Sequence, residues 1–170
     1  MTVMNLNKSN STNYQLIFPL LPTEIYYEKS KQFTLNIFGT ILPSISLNQQ
    51  ELEWQGNKAF TDSGDITFGM WTVDFQVDSK FSNWLVLYKW MMMIHNNSNS
   101  PGFVRDKGLV IDATLHIMTN FRQKTLVIKF IDIWPTELGE ISLSKRTGQD
   151  DLESQVTFSY DKYVISENII

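Results

Sequence analysis

The stretch "WTVDFQV", Trp71 to Val77, decides the fold class. Successive side chains of a strand point to opposite faces, so Trp71, Val73, Phe75 and Val77 share one face and Thr72, Asp74 and Gln76 the other. Large apolar groups on one side and none on the other mark a strand with one face in a core and one in water. Working outward, the same alternation sets Ile111, Ala113, Leu115 and Ile117 against Asp112, Thr114 and His116. It also sets Val156, Phe158 and Tyr160 against Gln155, Thr157, Ser159 and Asp161. "YQLIF", "FTLNIF", "DITF", "TLVIKFIDIW" and "EISLS" share the β-branched and aromatic bias and are bounded by Pro, Gly, Asn or Asp. Short connections such as "TNFRQK" fit hairpins, so the chain is expected to be mainly β with antiparallel pairing.

One segment breaks that pattern. "DSKFSNWLVLYKWMMMIHNN", 78–97, opens on the candidate N-caps Asp78 and Ser79 and runs without Gly or Pro to an Asn pair, which predicts a helix. Phe81, Trp84, Leu85, Tyr88 and Met92 line one side at helical spacing and are assigned to the sheet. Leu87, Met91 and Ile94 load another side. A helix this apolar needs cover on more than one side, so these three are expected to meet a second subunit. The Met triplet has no Cys or His at ligand spacing and is read as packing.

"IDIWPTELGEISLS", Ile131 to Ser144, is read as a sharp corner between two strands. Pro135 ends the strand it meets, Gly139 can take the positive φ of a reversal, and Trp134 is the anchor.

Composition excludes several function classes. At 170 residues and 42% hydrophobic, the chain fits one core, with residues 1–12 as a flexible polar segment and 13–170 as a single domain. The absence of cysteine excludes a disulfide framework, thiol catalysis and Cys-ligated zinc. The first residues show no export signal, and no run approaches the ~20 apolar residues of a membrane span. Net charge is −4 and Lys and Arg are nowhere clustered, which argues against tight nucleic-acid binding. No nucleophile elbow, phosphate loop or dinucleotide turn occurs, and the two histidines, His95 and His116, stand in no metal-ligand pattern. No catalytic residue, cofactor, metal or small-molecule ligand is expected.

The order of motifs resembles the tail tube proteins of contractile-tailed bacteriophages. The positions that carry it are Leu42 and Pro43 after an early strand; Gly64, Asp65, Thr67 and Phe68 leading into Trp71 and Val73; and Trp134, Pro135, Gly139 and Glu140 before a last aromatic-ended strand. Each motif alone is weak, but their order and spacing run from about Tyr14 to Tyr163. The N-terminus is longer and more polar, and the helix richer in Trp and Met, than that pattern, which leaves a repeated tube subunit and a tube-initiating or baseplate ring both open.

The resemblance implies a β-sandwich or barrel-like tail-tube fold with one flanking α-helix. It further implies hexameric rings stacked into a tube in the virion tail, assembled in the host cytoplasm. Sheath, baseplate and tape-measure proteins are the implied partners, and DNA passes without tight binding. On that footing the long connection Ser46 to Asp65, carrying Leu52, Trp54 and Phe60, is expected to be a loop that packs on another ring, with a long intramolecular β-hairpin as the competing account. Asp74, Asp112 and Asp161 are expected to face the bore and keep DNA from sticking. Two other readings stay open: the tube of another contractile injection machine, and a β-sandwich carbohydrate-binding or hydrolytic domain using Trp54 or Tyr26 and Tyr27.

Overall fold

The computed structural model describes residues 14–18, 35–54, 57–98, 109–118, 124–143 and 151–167. The expected flexible segment 1–12 and the tyrosines Tyr26 and Tyr27 lie outside them. Among the described residues the order is β1 (Tyr14–Ile17), β2 (Asn36–Ile41), β3 (Ile45–Trp54), β4 (Asn57–Phe68), β5 (Trp71–Gln76), α1 (Ser82–Ser98), β6 (Ile111–Met118), β7 (Lys124–Leu138), β8 (Glu153–Ser159) and β9 (Lys162–Glu167). Hydrogen bonding runs β1-β6-β7-β8-β5-β2, with β9 also on β7, and β3 and β4 form a separate two-stranded ribbon. Every pairing is antiparallel.

Strand β7 organises this arrangement. From Leu126 to Ile131 it lies between β6 and β9, and from Trp134 to Leu138 it pairs with β8. Between the two parts Asp132 has a φ of 53° and the register with β6 slips between Ile111 and Ala113. A bulge of this kind bends a strand and lets it pass from one packed sheet to the other. The β8–β9 segment follows the same bend, broken at Tyr160 and Asp161, where the Asp161 N–H donates to the Ile131 carbonyl at 3.1 Å. Two half-sheets result, β1-β6-β7-β9 and β7-β8-β5-β2, and their apolar faces meet. Trp71 of the second half stacks on Phe130 of the first at 4.0 Å and 7°. Val73, Phe75, Leu115, Ile128, Val156 and Phe158 fill the space around that stack. The alternation read from "WTVDFQV" is what the structure shows: Trp71, Val73, Phe75 and Val77 are buried, while Thr72, Asp74 and Gln76 are half-buried on the far side.

The Trp-Pro corner is corrected. Trp134 and Pro135 lie inside β7, opposite Ser159 and Phe158, and the register slips between Pro135 and Glu137. Proline cannot donate to a ladder, and an irregularity beside it accommodates the missing N–H. Pro135 is buried and Trp134 only half-buried, so the proline and not the tryptophan is the inner member of the pair. Gly139 is not a positive-φ residue; Gly64 is the one described glycine that is. Gly139 serves close approach: its N–H donates to the Gln155 carbonyl at 2.7 Å, and a Cβ there would lie 3.1 Å from that oxygen. The expected strand "EISLS" is likewise absent over residues 140–143, although Ile141 packs on the core.

The helix forms, with a reciprocal cap. The Asp78 carboxylate accepts from the N–H groups of Lys80, Ser82 and Asn83, and the Asn83 side-chain oxygen accepts from the N–H of Asp78. Asn83 also donates to the Gln76 carbonyl, which fastens the helix start to the end of β5. The capping residue is therefore as expected, but the helix begins at Ser82 and runs through the Asn pair to Ser98.

Its face assignment holds only at the helix start, where Phe81 and Trp84 pack against the core. Leu87 and Trp90 are fully buried with Val86, whereas Leu85, Tyr88 and Met92 are exposed. Trp90 fixes this rotation by donating its indole N–H to the Leu109 carbonyl at 2.7 Å while its ring lies 6.2 Å from Phe158. A helix with apolar residues on all sides has no preferred rotation by periodicity, so a buried hydrogen bond decides. Leu87 therefore belongs to its own chain's core, and Met91 and Ile94 are half-buried.

Candidate assembly surfaces

The segment 46–65 is a ribbon and not a loop. Its register runs from Ile45 opposite Phe68 to Trp54 opposite Asn57, with an irregularity between Leu47 and Gln49. Leu52 is paired with Ala59 and Phe60 with Glu51, so Leu52 and Phe60 occupy opposite ribbon faces, both exposed. The Trp54 side chain lies outside the described residues. Lys58 and Glu51 form an ion pair at 2.5 Å on the Phe60 face. Toward the root the ribbon exposes Ile45, Leu47 and Ile66, continuous in sequence with exposed Ile41, Leu42 and Met70.

The root is fastened to the bend where the half-sheets meet. The Gly69 N–H donates to the Ser44 carbonyl at 2.9 Å. The Tyr160 hydroxyl donates to the Gly69 carbonyl at 2.6 Å and the Tyr163 hydroxyl to the Pro43 carbonyl at 3.3 Å. Phe68 lies 6.1 Å from the Tyr160 ring and 5.1 Å from that of Tyr163. Burial, with Tyr163 nearby, pushes the Tyr160 hydroxyl up to about 12, so it remains a donor at ordinary pH.

The expected aspartates do not share one surface. Asp112 points away from the core on β6, and its carboxylate accepts from Lys129 at 2.7 Å and from the Asp132 N–H at 3.2 Å. The Lys129 hydrogen bond holds the Asp112 carboxyl below its usual range. Asp74 points away from the core on β5, in the other half-sheet, and accepts from the Gln155 amide at 2.8 Å. Asp74 and Asp112 therefore lie on the outer sides of different half-sheets. Asp161 is exposed at the break between β8 and β9. Alternation along single strands gave no means of telling the two outer sides apart.

Open strand edges were missed altogether at the level of named residues. Among the described residues β1 pairs only with β6, β2 only with β5 and β9 only with β7. Strand β9 exposes Val164 and Ile165, adjacent residues on opposite faces, and β2 exposes Phe38 and Ile41. Strands β1 and β2 carry no charged residue, and β9 carries Lys162 and Glu167 at its two ends. No group of three or more His, Cys, Asp or Glu that could hold a metal occurs among the described residues. No helix there is long and apolar enough to cross a membrane.

The sequence model of the family described as phage tail tube protein matches residues 9–166. No match was found among curated proteins. Solved structures share the fold at low identity. The cryo-EM structure of the anti-feeding prophage baseplate, six-fold symmetrised, has a chain 8% identical with a TM-score of 0.66, covering 96% of this chain and 98% of that one. The sheath-tube complex of an extracellular contractile injection system, PVC, in its extended state gives 14%, 0.63, 96% and 94%. The Hcp1 protein of E. coli EAEC 042 gives 10%, 0.55, 92% and 92%.

Proposed function

The chain belongs to the phage tail tube protein family, whose members are structural and not catalytic, and from that premise we propose that it forms hexameric rings that stack into a tail tube. The observation that carries the ring is the pair of open edges on one half-sheet. Strand β1 is antiparallel to β6, β6 to β7 and β7 to β9, so β1 and β9 run in opposite directions. The β9 edge of one copy therefore meets the β1 edge of the next in the antiparallel sense already used throughout the sheet. Head-to-tail pairing of this kind closes into a ring and covers both of these edges. The six-fold symmetrised baseplate structure that shares this fold supports six copies.

Such a ring turns the outer side of β1-β6-β7-β9 toward the bore. Asp112 and Lys129 neutralise one another on that side, Lys162 at the start of β9 adds one exposed cation, and Thr114 and Ser166 add uncharged groups. A wall of this kind offers DNA little to hold, and DNA passes through it during ejection. The ribbon β3–β4 reaches the adjoining ring, with Leu52 and Phe60 as contacts from its two faces. On the helix, Leu85, Tyr88 and Met92 replace Leu87 as the apolar group open to a neighbour. A contractile sheath surrounds the tube, and baseplate and tape-measure proteins meet it in the virion tail. A second reading, the tube of a non-viral contractile injection machine, is supported by the shared fold of the anti-feeding prophage and PVC chains. Negative-stain electron microscopy of the purified protein tests the proposal. Six-fold rings and tubes are expected, and a protein that stays monomeric at every concentration overturns it. Particles that never contain DNA favour the second reading.

A further inference from the structure

The ribbon leaves the body through two backbone crossings, at Pro43–Ser44 and at Gly69, and both crossing carbonyls are taken by tyrosines from one place. Tyr160 closes β8 and bonds the Gly69 carbonyl, and Tyr163 lies on β9 and bonds the Pro43 carbonyl. Between them sits Asp161, whose N–H holds the Ile131 carbonyl beside the β7 bulge. Phe68, the last ribbon residue, packs on both tyrosine rings. At Gly69 a side chain would meet the Ser44 hydroxyl at 2.8 Å, so the two ribbon legs are pressed together at the exit. Beyond this root the ribbon pairs with no other strand among the described residues. Among the described residues its direction is held at the root.

We infer that Tyr160 and Tyr163 are positioning residues that set the angle at which the ribbon leaves the body, and that this angle decides whether one ring stacks on the next. The inference rests on the proposed stacking of rings through the ribbon. Because Tyr163 lies on β9, the strand offered to the neighbouring copy, the same clamp ties ribbon direction to the edge that closes the ring.

The test removes only the hydroxyls, in Y160F, Y163F and the double variant, leaving the rings in the aromatic core. Two lost hydrogen bonds lower the clamped-to-open ratio roughly 30-fold. Because the chain has no cysteine, nitroxides can be placed at Glu53→Cys on the ribbon and Lys89→Cys on the helix without competing thiols. Electron double resonance then reads the spread of ribbon directions, and negative-stain microscopy reads rings and tubes. The expected result is a narrow distance distribution in the parent, a broad one in the double variant, and rings that no longer stack. A lowered melting temperature with an unchanged distribution would mean a merely structural role and overturn the inference, as would a broadened distribution with tubes of normal length. A parent chain that forms no rings overturns the proposed function instead, and the distance measurement still decides the clamp.

Discussion

Truncating Leu87 and Leu85 separately decides which way the helix faces. Leu87 is fully buried and Leu85 is 41% exposed. Leucine to alanine removes three carbons, worth about 2.4 kcal/mol of transfer free energy at full burial, and the cavity left in a packed core raises the total to about 3–4 kcal/mol. Scaled to its buried share and without a closed cavity, the Leu85 change costs about 1.4 kcal/mol at most. For a chain of this length the Leu87→Ala loss corresponds to about 10 °C in melting temperature. Urea unfolding followed by tryptophan fluorescence, at one low protein concentration so that association does not contribute, measures both. Leu87→Ala should shift the midpoint strongly with the slope unchanged, and Leu85→Ala should shift it less than half as far. A Leu87→Ala variant within about 1 kcal/mol of the parent, or the two variants alike, would refute the rotation fixed by Trp90.

Other outcomes follow from the same geometry. Because Lys129 holds the Asp112 carboxyl below its ordinary value, that group's stabilising effect is present above about pH 4 and is lost as pH falls through its folded value. Melting temperatures between pH 7 and 2 should therefore fall less steeply on the acid side in Asp112→Asn. Gly139→Ala forces a Cβ against the Gln155 backbone and should cost about 1–3 kcal/mol in urea unfolding, with circular dichroism otherwise parental. In assembled tubes Asp112→Lys should create DNA retention that weakens steeply with salt, whereas Asp74→Lys, on the opposite side, should not; equal retention would defeat the assignment of the bore face. Removing residues 50–61, which pair only with one another, should leave a folded protein that stops at single rings, and tubes of normal length would show that the ribbon is dispensable.

What the sequence disclosed tracks the range of the interactions involved. The period-two faces of β5 and β8 and the Asp78 cap are set within a few residues of each position and read correctly, and β6 does so except at His116, which is buried although it alternates with the core residues. The rotation of α1 is set by the Trp90 bond to Leu109 and its packing on Phe158, partners far along the chain, and a helix apolar on every side gave no clue to it. Trp134 and Pro135 resembled a turn because proline usually ends a strand. Here the long β7 crosses between half-sheets and accommodates the proline through a register slip against β8. Between Ser46 and Asp65 loop and hairpin are not separable by sequence, because neither face of this part of the ribbon enters the core and its alternation carries no burial signal. The aspartates of β5 and β6 are equivalent by alternation, and only the packing of Trp71 on Phe130 assigns their strands to different half-sheets.

The passage of β7 through both half-sheets has a mechanical consequence. Strands joined only by lateral hydrogen bonds can shear past one another under load. Here a thrust delivered to the β5 side reaches the β6 side along the covalent backbone of β7, with the β8–β9 segment running beside it as a second cable. Load passing between the two half-sheets is therefore carried in part by covalent bonds and not by lateral hydrogen bonds alone.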